Sequence, residues 1–159
     1  MSPYRCGRAP PAAAFALPQG GVVEPGKSLG GVRTGATQAE VRAAWGGDFG
    51  RCRGCRFRTW YFTYAQYAPQ GVGVEFRRGR VAALFALWSP PGWHTREGLQ
   101  IGDSSSRIGE LYGPLARRDC RGYYAFVLPQ RGTSTAFYVV NEKLWGFGLS
   151  RSSVPVCRS

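Results

Sequence analysis

The sequence predicts an α+β protein of two tandem repeats, each a short helix followed by a three-stranded antiparallel meander, with the helices packed on one sheet face. Three observations carry this expectation. The stretch from Gly31 to Gly46 is echoed from Gly98 to Gly113: Gly31, Gly35, Val41, Trp45 and Gly46 meet Gly98, Gly102, Ile108, Tyr112 and Gly113, each 67 positions on. A fixed internal offset of that kind is the signature of a duplicated structural unit. Each copy carries helix start and stop signals, and each is followed by aromatic and β-branched runs joined by a tight turn.

Residues 1–27 read as a separate N-terminal segment, either an export leader or a disordered tail. Arg5 and Arg8 precede the short apolar stretch Pro10 to Leu17, and Ala14-Phe15-Ala16 fits a small-residue cleavage pattern. The first helix starts at Thr37, whose hydroxyl caps the backbone, with Glu40 three residues later completing a capping box. Val41, Ala44 and Trp45 then form one apolar face, and Gly46-Gly47 ends the helix. Strands are expected at Phe57 to Tyr64, Val72 to Arg77 and Arg80 to Trp88, the last two turning at Arg78-Gly79. Trp60, Phe62 and Tyr64 share one strand face, while Phe57 and Tyr61 share the other. In the second copy Ser104 is the expected cap, Ile108, Leu111 and Tyr112 form the apolar face, and Gly113-Pro114 stops the helix. Strands are expected at Tyr123 to Leu128, Thr135 to Val140 and Lys143 to Leu149, turning at Asn141-Glu142. The domains read as 1–27, then 28–95 and 96–159 as the two units.

The charge is far from balanced. The net charge is +12 over 159 residues, and the only lysines among the 21 basic residues are Lys27 and Lys143. An arginine-biased genome accounts for that ratio as well as an anionic partner does, and the basic residues are spread rather than run together. No apolar run approaches the ~20 residues of a membrane-spanning helix. With Cys6 set aside in the leader, Cys52, Cys55, Cys120 and Cys157 leave an even four, as a disulfide framework has. Three pairings are open; 52–55 with 120–157 is preferred, because it closes a local loop and ties the C-terminal tail to the second sheet. That framework points to an exported protein.

Arg51-Cys52-Arg53-Gly54-Cys55-Arg56-Phe57-Arg58 is the sharpest local feature. Its arginines Arg51, Arg53, Arg56 and Arg58 can bind an anion, or can lower a thiol pKa for redox exchange by Cys52 and Cys55. The pair follows a helix and precedes a strand, the reverse of a thioredoxin-type site, and no second pair completes a zinc site. A structural disulfide is favoured. His94 lies near Asp103, Ser104, Ser105 and Ser106, but helix capping accounts for the serines and no nucleophile elbow exists. Trp88, Trp93 and Arg96 flank the connection between the copies, where they form either a docking hot spot or a hydrophobic hinge. Nucleic acid is disfavoured as a partner: no RNP-type strand is present, and oxidised cysteines point away from the cytoplasm. No catalytic set, cofactor or metal is expected.

The segment Gly35-Ala36-Thr37-x-x-Glu40-Val41, then a Gly, an aromatic strand and a hairpin, resembles the helix-then-meander unit of the SmpA/OmlA (BamE-like) lipoproteins. Its tandem form is similar to the β-lactamase inhibitory protein architecture. The resemblance covers about residues 28 to 150 and implies a non-enzymatic, exported binding module that docks a protein or an anionic cell-envelope component through its sheet face and inter-repeat loops. No inhibitory loop maps onto this chain. Two other functions stand beside this one: a thiol-disulfide redox protein using Cys52 and Cys55, and a polyanion or nucleic-acid binder using the Arg51–Arg58 cluster.

Overall fold

A computed structural model describes residues 21–62, 71–88 and 92–158. Most of the N-terminal segment, Cys6 included, lies outside them. From Val22 on, however, that segment is part of the fold. Strand β1 (Val22–Glu24) pairs antiparallel with β2 (Ser28–Leu29) and parallel with β7 (His94–Thr95), giving a small sheet ordered β2-β1-β7. Val23 and Leu29 are fully buried.

The predicted α+β architecture of two helix-plus-three-stranded units is corrected by the main sheet. Among the described residues the protein is mostly β, with 48% strand and two short helices, and its large sheet is one continuous antiparallel array of eight strands. The first four are β3 (Gly50–Arg51), β4 (Thr59–Phe62), β5 (Gly71–Arg77) and β6 (Arg80–Leu87). The others are β8 (Ala116–Asp119), β9 (Tyr124–Gln130), β10 (Thr133–Val140) and β11 (Lys143–Arg151), and the spatial order is β3-β4-β5-β6-β11-β10-β9-β8.

Two physical causes separate this fold from the expectation. First, β6 is buried at every position after Arg80, so neither of its faces can meet water. A continuous apolar run of that kind belongs at the centre of a sheet. It pairs with β11 through Leu84↔Leu149, Phe85↔Gly148 and Ala86↔Phe147, which merges the two expected meanders. Second, a short strand caps each end of the array. Gly50–Arg51 and Ala116–Asp119 are wholly exposed and carry charge, so they lack any alternating pattern. Charged, short edge strands are how sheets avoid pairing with other chains.

Helix α1 (Gln38–Trp45) and helix α2 (Ser106–Tyr112) cover the inner face together with the small sheet. In α1 the Thr37 hydroxyl accepts a hydrogen bond from the Glu40 N–H at 3.1 Å, and Val41 and Trp45 point into the core. Trp45 meets Phe62 edge-on at 5.3 Å, and its indole N–H donates to the Gly30 carbonyl at 2.9 Å. In α2, Ser105 rather than Ser104 is the N-cap, and no side chain caps it. Its backbone is already helical, and its hydroxyl donates to Glu142 instead. Ile108 is the buried residue of α2, and Tyr112 stacks on Phe137 at 4.9 Å.

Each helix entry is pinned to a β-hairpin. Gly35 N–H donates to the Val81 carbonyl at 2.7 Å, and Val81 N–H donates to that of Ala36 at 2.8 Å. On the other side Ser105 N–H donates to the Glu142 carbonyl at 2.9 Å. Both hairpins turn where the sequence places them. Arg78 and Gly79 have φ of 54° and 75°, and Asn141 and Glu142 have 51° and 59°, the left-handed pairs that match strand twist in a two-residue loop.

Part of the outer face is covered by the chain's own tail. Val154 packs on Ala82 and Ala83. The Tyr138 hydroxyl donates to the Val156 carbonyl, and the Tyr123 hydroxyl to that of Arg158, both at 2.6 Å. Cys120 and Cys157 form a disulfide that fastens this tail beside β8.

Candidate functional site

The connection from β3 to β4 carries the arginine cluster, and its shape follows from two constraints. Cys52 and Cys55 form a disulfide across three positions, with Gly54 between them at φ 80°. Cys52 N–H donates to the Thr59 carbonyl at 2.9 Å, so the loop is closed by a hydrogen bond as well. Beyond it the Phe76 N–H donates to the Arg58 carbonyl at 2.8 Å, which lays the loop beside the β5–β6 turn. Since α1 starts on that same hairpin, Gln38 becomes the third wall.

The result is an open cleft lined by Gln38, Arg56, Phe57, Arg58, Arg78 and Gly79, with Phe76 and Arg77 behind. The Arg77 guanidinium lies 3.8 Å from the Phe57 ring centre and is neutralised by Glu75 at 3.1 Å. On a ring the face is electron-rich, so a flat guanidinium is held there. Arg56 approaches the same ring at 5.2 Å. Arg58 donates to the Gln38 side-chain oxygen at 3.2 Å, leaving the Gln38 amide nitrogen as a further donor. All nine carboxylate side chains of the sequence fall among the described residues. None of them lies within ion-pair distance of Arg51, Arg53, Arg56, Arg58 or Arg78; the four ion pairs among the described residues involve Arg77, Arg96, Arg107 and Arg117.

The other expected site residues scatter. Trp93 is fully buried, with its ring over Gly21 and Gly30, where an added Cβ would come within 2.7 Å and 2.6 Å of ring carbons. It is a core residue and cannot dock a partner. Trp88 is 42% exposed. Arg96 is exposed but paired with Glu24 at 2.7 Å. His94 is exposed on β7, its Nδ1 on the Gly92 carbonyl at 3.0 Å. Ser104 and Ser106 bond each other and Ser105 bonds Glu142, so no Ser/His/Asp set assembles. Among the described residues no three His, Cys, Asp or Glu side chains gather as a metal site needs. No helix there is long and apolar enough to cross a membrane. Gln38, Phe76 and Arg77 line the cleft without any site signal in the sequence, and Arg78 and Gly79 are legible there only as a turn. The signal was available in the Arg78-Gly79 turn, since pairing the strands on either side of it with the preceding one brings the two arginine-bearing connections together.

No protein-family model and no curated protein sequence matches the chain. Solved structures do resemble it in fold. A DUF4309 family protein from Bacillus subtilis matches with TM-score 0.54 and 14% identity over 74% of this chain and 79% of that one. A cysteine-rich secretory protein from Staphylococcus aureus matches with TM-score 0.53 and 12% identity over 83% of this chain. An extracellular protein containing a SCP domain from Bacillus anthracis matches with TM-score 0.50 and 11% identity over 82% of it. The chain spans about half the length of the latter two, 49% and 50% respectively.

Proposed function

We propose that this chain is an exported, non-enzymatic binding module that docks an anionic macromolecule of the cell envelope through its arginine-rich end. The observation that carries this reading is the set of guanidinium groups on the β3–β4 loop and the β5–β6 turn that have no carboxylate partner. Like charges held together repel, so a fold keeps them together at a cost that a bound anion removes. The two disulfides and the extracellular descriptions of two structural neighbours support export. Docking belongs to this end rather than to the sheet face, because the tail occupies much of the outer face and the helices cover the inner one.

The test is retention of the oxidised protein on an immobilised polyanion at about 0.05 M and about 0.5 M salt, since exposed charge interactions are screened over that range. The variant with Arg51, Arg53, Arg56 and Arg58 changed to Gln should elute at much lower salt than the wild type. A control with Arg118, Arg121, Arg131 and Arg151 changed to Gln has the same net charge and should elute later than that variant. Equal elution of the two would mean that net charge alone is responsible, and would refute the reading.

One observation favours a second reading. Cys55 is exposed, so the Cys52–Cys55 disulfide is open to a thiolate. A thiol-disulfide activity would appear as insulin reduction lost in Cys52→Ser. The loop lies between two antiparallel strands and offers no helix N-terminus to stabilise a thiolate, which is why the binding role is preferred.

A further inference from the structure

We infer that the arginine cleft takes a phosphate group, and that its ligand is a polymer of phosphodiester-linked units, non-nucleotide because the two disulfides point away from the cytoplasm. This rests on the reading that the arginine end docks an anionic macromolecule. Every free polar side chain in the cleft is a donor: the guanidinium groups of Arg56, Arg58 and Arg78 and the amide nitrogen of Gln38. The Glu75 carboxylate is already taken by Arg77. A lining made of donors alone selects a ligand group that only accepts.

The donors come from three elements. Arg56 and Arg58 enter from the β3–β4 loop, Arg78 from the β5–β6 turn and Gln38 from the start of α1. A planar carboxylate presents its acceptor sites in one plane and suits one guanidinium fork. A tetrahedral phosphate presents oxygens in several directions and can take donors from three walls at once. Arg77, flat on Phe57 and neutralised, forms the back of the cleft rather than a fourth charge. Beyond the cleft, Arg51 and Arg53 continue the positive charge along the exposed edge of the sheet. A ligand that uses them as well carries its charge repeatedly, one unit after another, as a phosphodiester chain does.

The experiment titrates the oxidised full chain with four probes at equal concentration of anionic groups: poly(glycerol phosphate), polygalacturonate, single-stranded poly(rU), and phosphatidylglycerol vesicles. Poly(glycerol phosphate) should bind about tenfold or more tightly than polygalacturonate. Arg58→Gln and Arg78→Gln should each weaken it about tenfold, the scale of a lost hydrogen bond to a charged group. Arg58→Lys, which keeps the charge and loses the fork, should also weaken it, while Arg121→Gln should not. Thermal unfolding of each variant checks that the fold is retained, and Arg58→Lys stands in if a Gln variant unfolds. Equal affinity for polygalacturonate overturns the phosphate assignment, and tighter binding of poly(rU) or vesicles overturns the choice of polymer. Binding of none of the probes overturns the anion-docking reading itself.

Discussion

Trp88 and Trp93 lie five positions apart and have opposite fates. Trp93 has no exposed surface, while Trp88 sits at φ 58° with 42% of its surface in water. Trp93→Ala should therefore cost about 3–5 kcal/mol in urea unfolding, the range for a buried aromatic. Trp88→Ala should stay within about 0.5 kcal/mol. In the sequence the two read alike, as residues of one connection, because nothing periodic distinguishes them. What distinguishes them is the small sheet: Gly21 and Gly30 leave room that only a large ring fills.

The tyrosines make a pH prediction at the same scale. Burial pushes the Tyr138 phenol up from 10.0 to about 12, and burial does the same to Tyr112, helped by the nearby Glu97 carboxylate. A folded-state pKa above the unfolded one means that the protonated phenol stabilises the fold in full below about pH 10. That contribution is lost as pH rises from 10 through 12, because the unfolded chain ionises first. The denaturation midpoint should fall between about pH 9 and about pH 11.5, and less steeply in Tyr138→Phe. An unchanged slope in that variant would show that Tyr138 is not the group responsible.

At the scale of elements, both helices and both long hairpins were legible, and the edge strands were not. Caps, glycine stops and left-handed turns are written in a few adjacent residues. Gly50–Arg51 and Ala116–Asp119 become strands only because a neighbour offers them a ladder, and no local pattern records that. The two disulfide pairings preferred from the sequence are the ones formed, but their weights differ. Closing a loop of about four residues gives roughly 2 kcal/mol in the chain-entropy picture, and closing one of about 38 gives roughly 4. The Cys52→Ser, Cys55→Ser double variant should lose less stability than its Cys120, Cys157 counterpart. It should nevertheless bind polyanion several-fold more weakly, because the arginine loop is no longer held in place.

The central strands give another element-scale test. A Cβ at Gly146 would lie 2.6 Å from the Ala86 carbonyl oxygen, a backbone atom in the partner strand. Gly146→Ala should destabilise the protein by about 1–3 kcal/mol, the cost of forced overpacking, and calorimetry would show it as a lowered Tm.

At the scale of the whole molecule, the sequence echo located two helices but could not say how the strands around them would join. The joint depends on β6 and β11 recognising each other across more than fifty residues of intervening chain, and local periodicity does not reach that far. The same limit hid the arginine cleft. Its loop, its turn and its helix are separately visible in the sequence, but only the fold sets them side by side.

The fastened tail has a mechanical consequence. If the chain is pulled from its C-terminus, tension entering at Arg158 crosses from Cys157 directly to Cys120 and bypasses the 36 residues between them. Strands β9, β10 and β11 then bear no load, and the pull acts on β8 at the rim of the sheet. Reducing that one bond would redirect the same pull through the tail into β11, at the centre of the molecule.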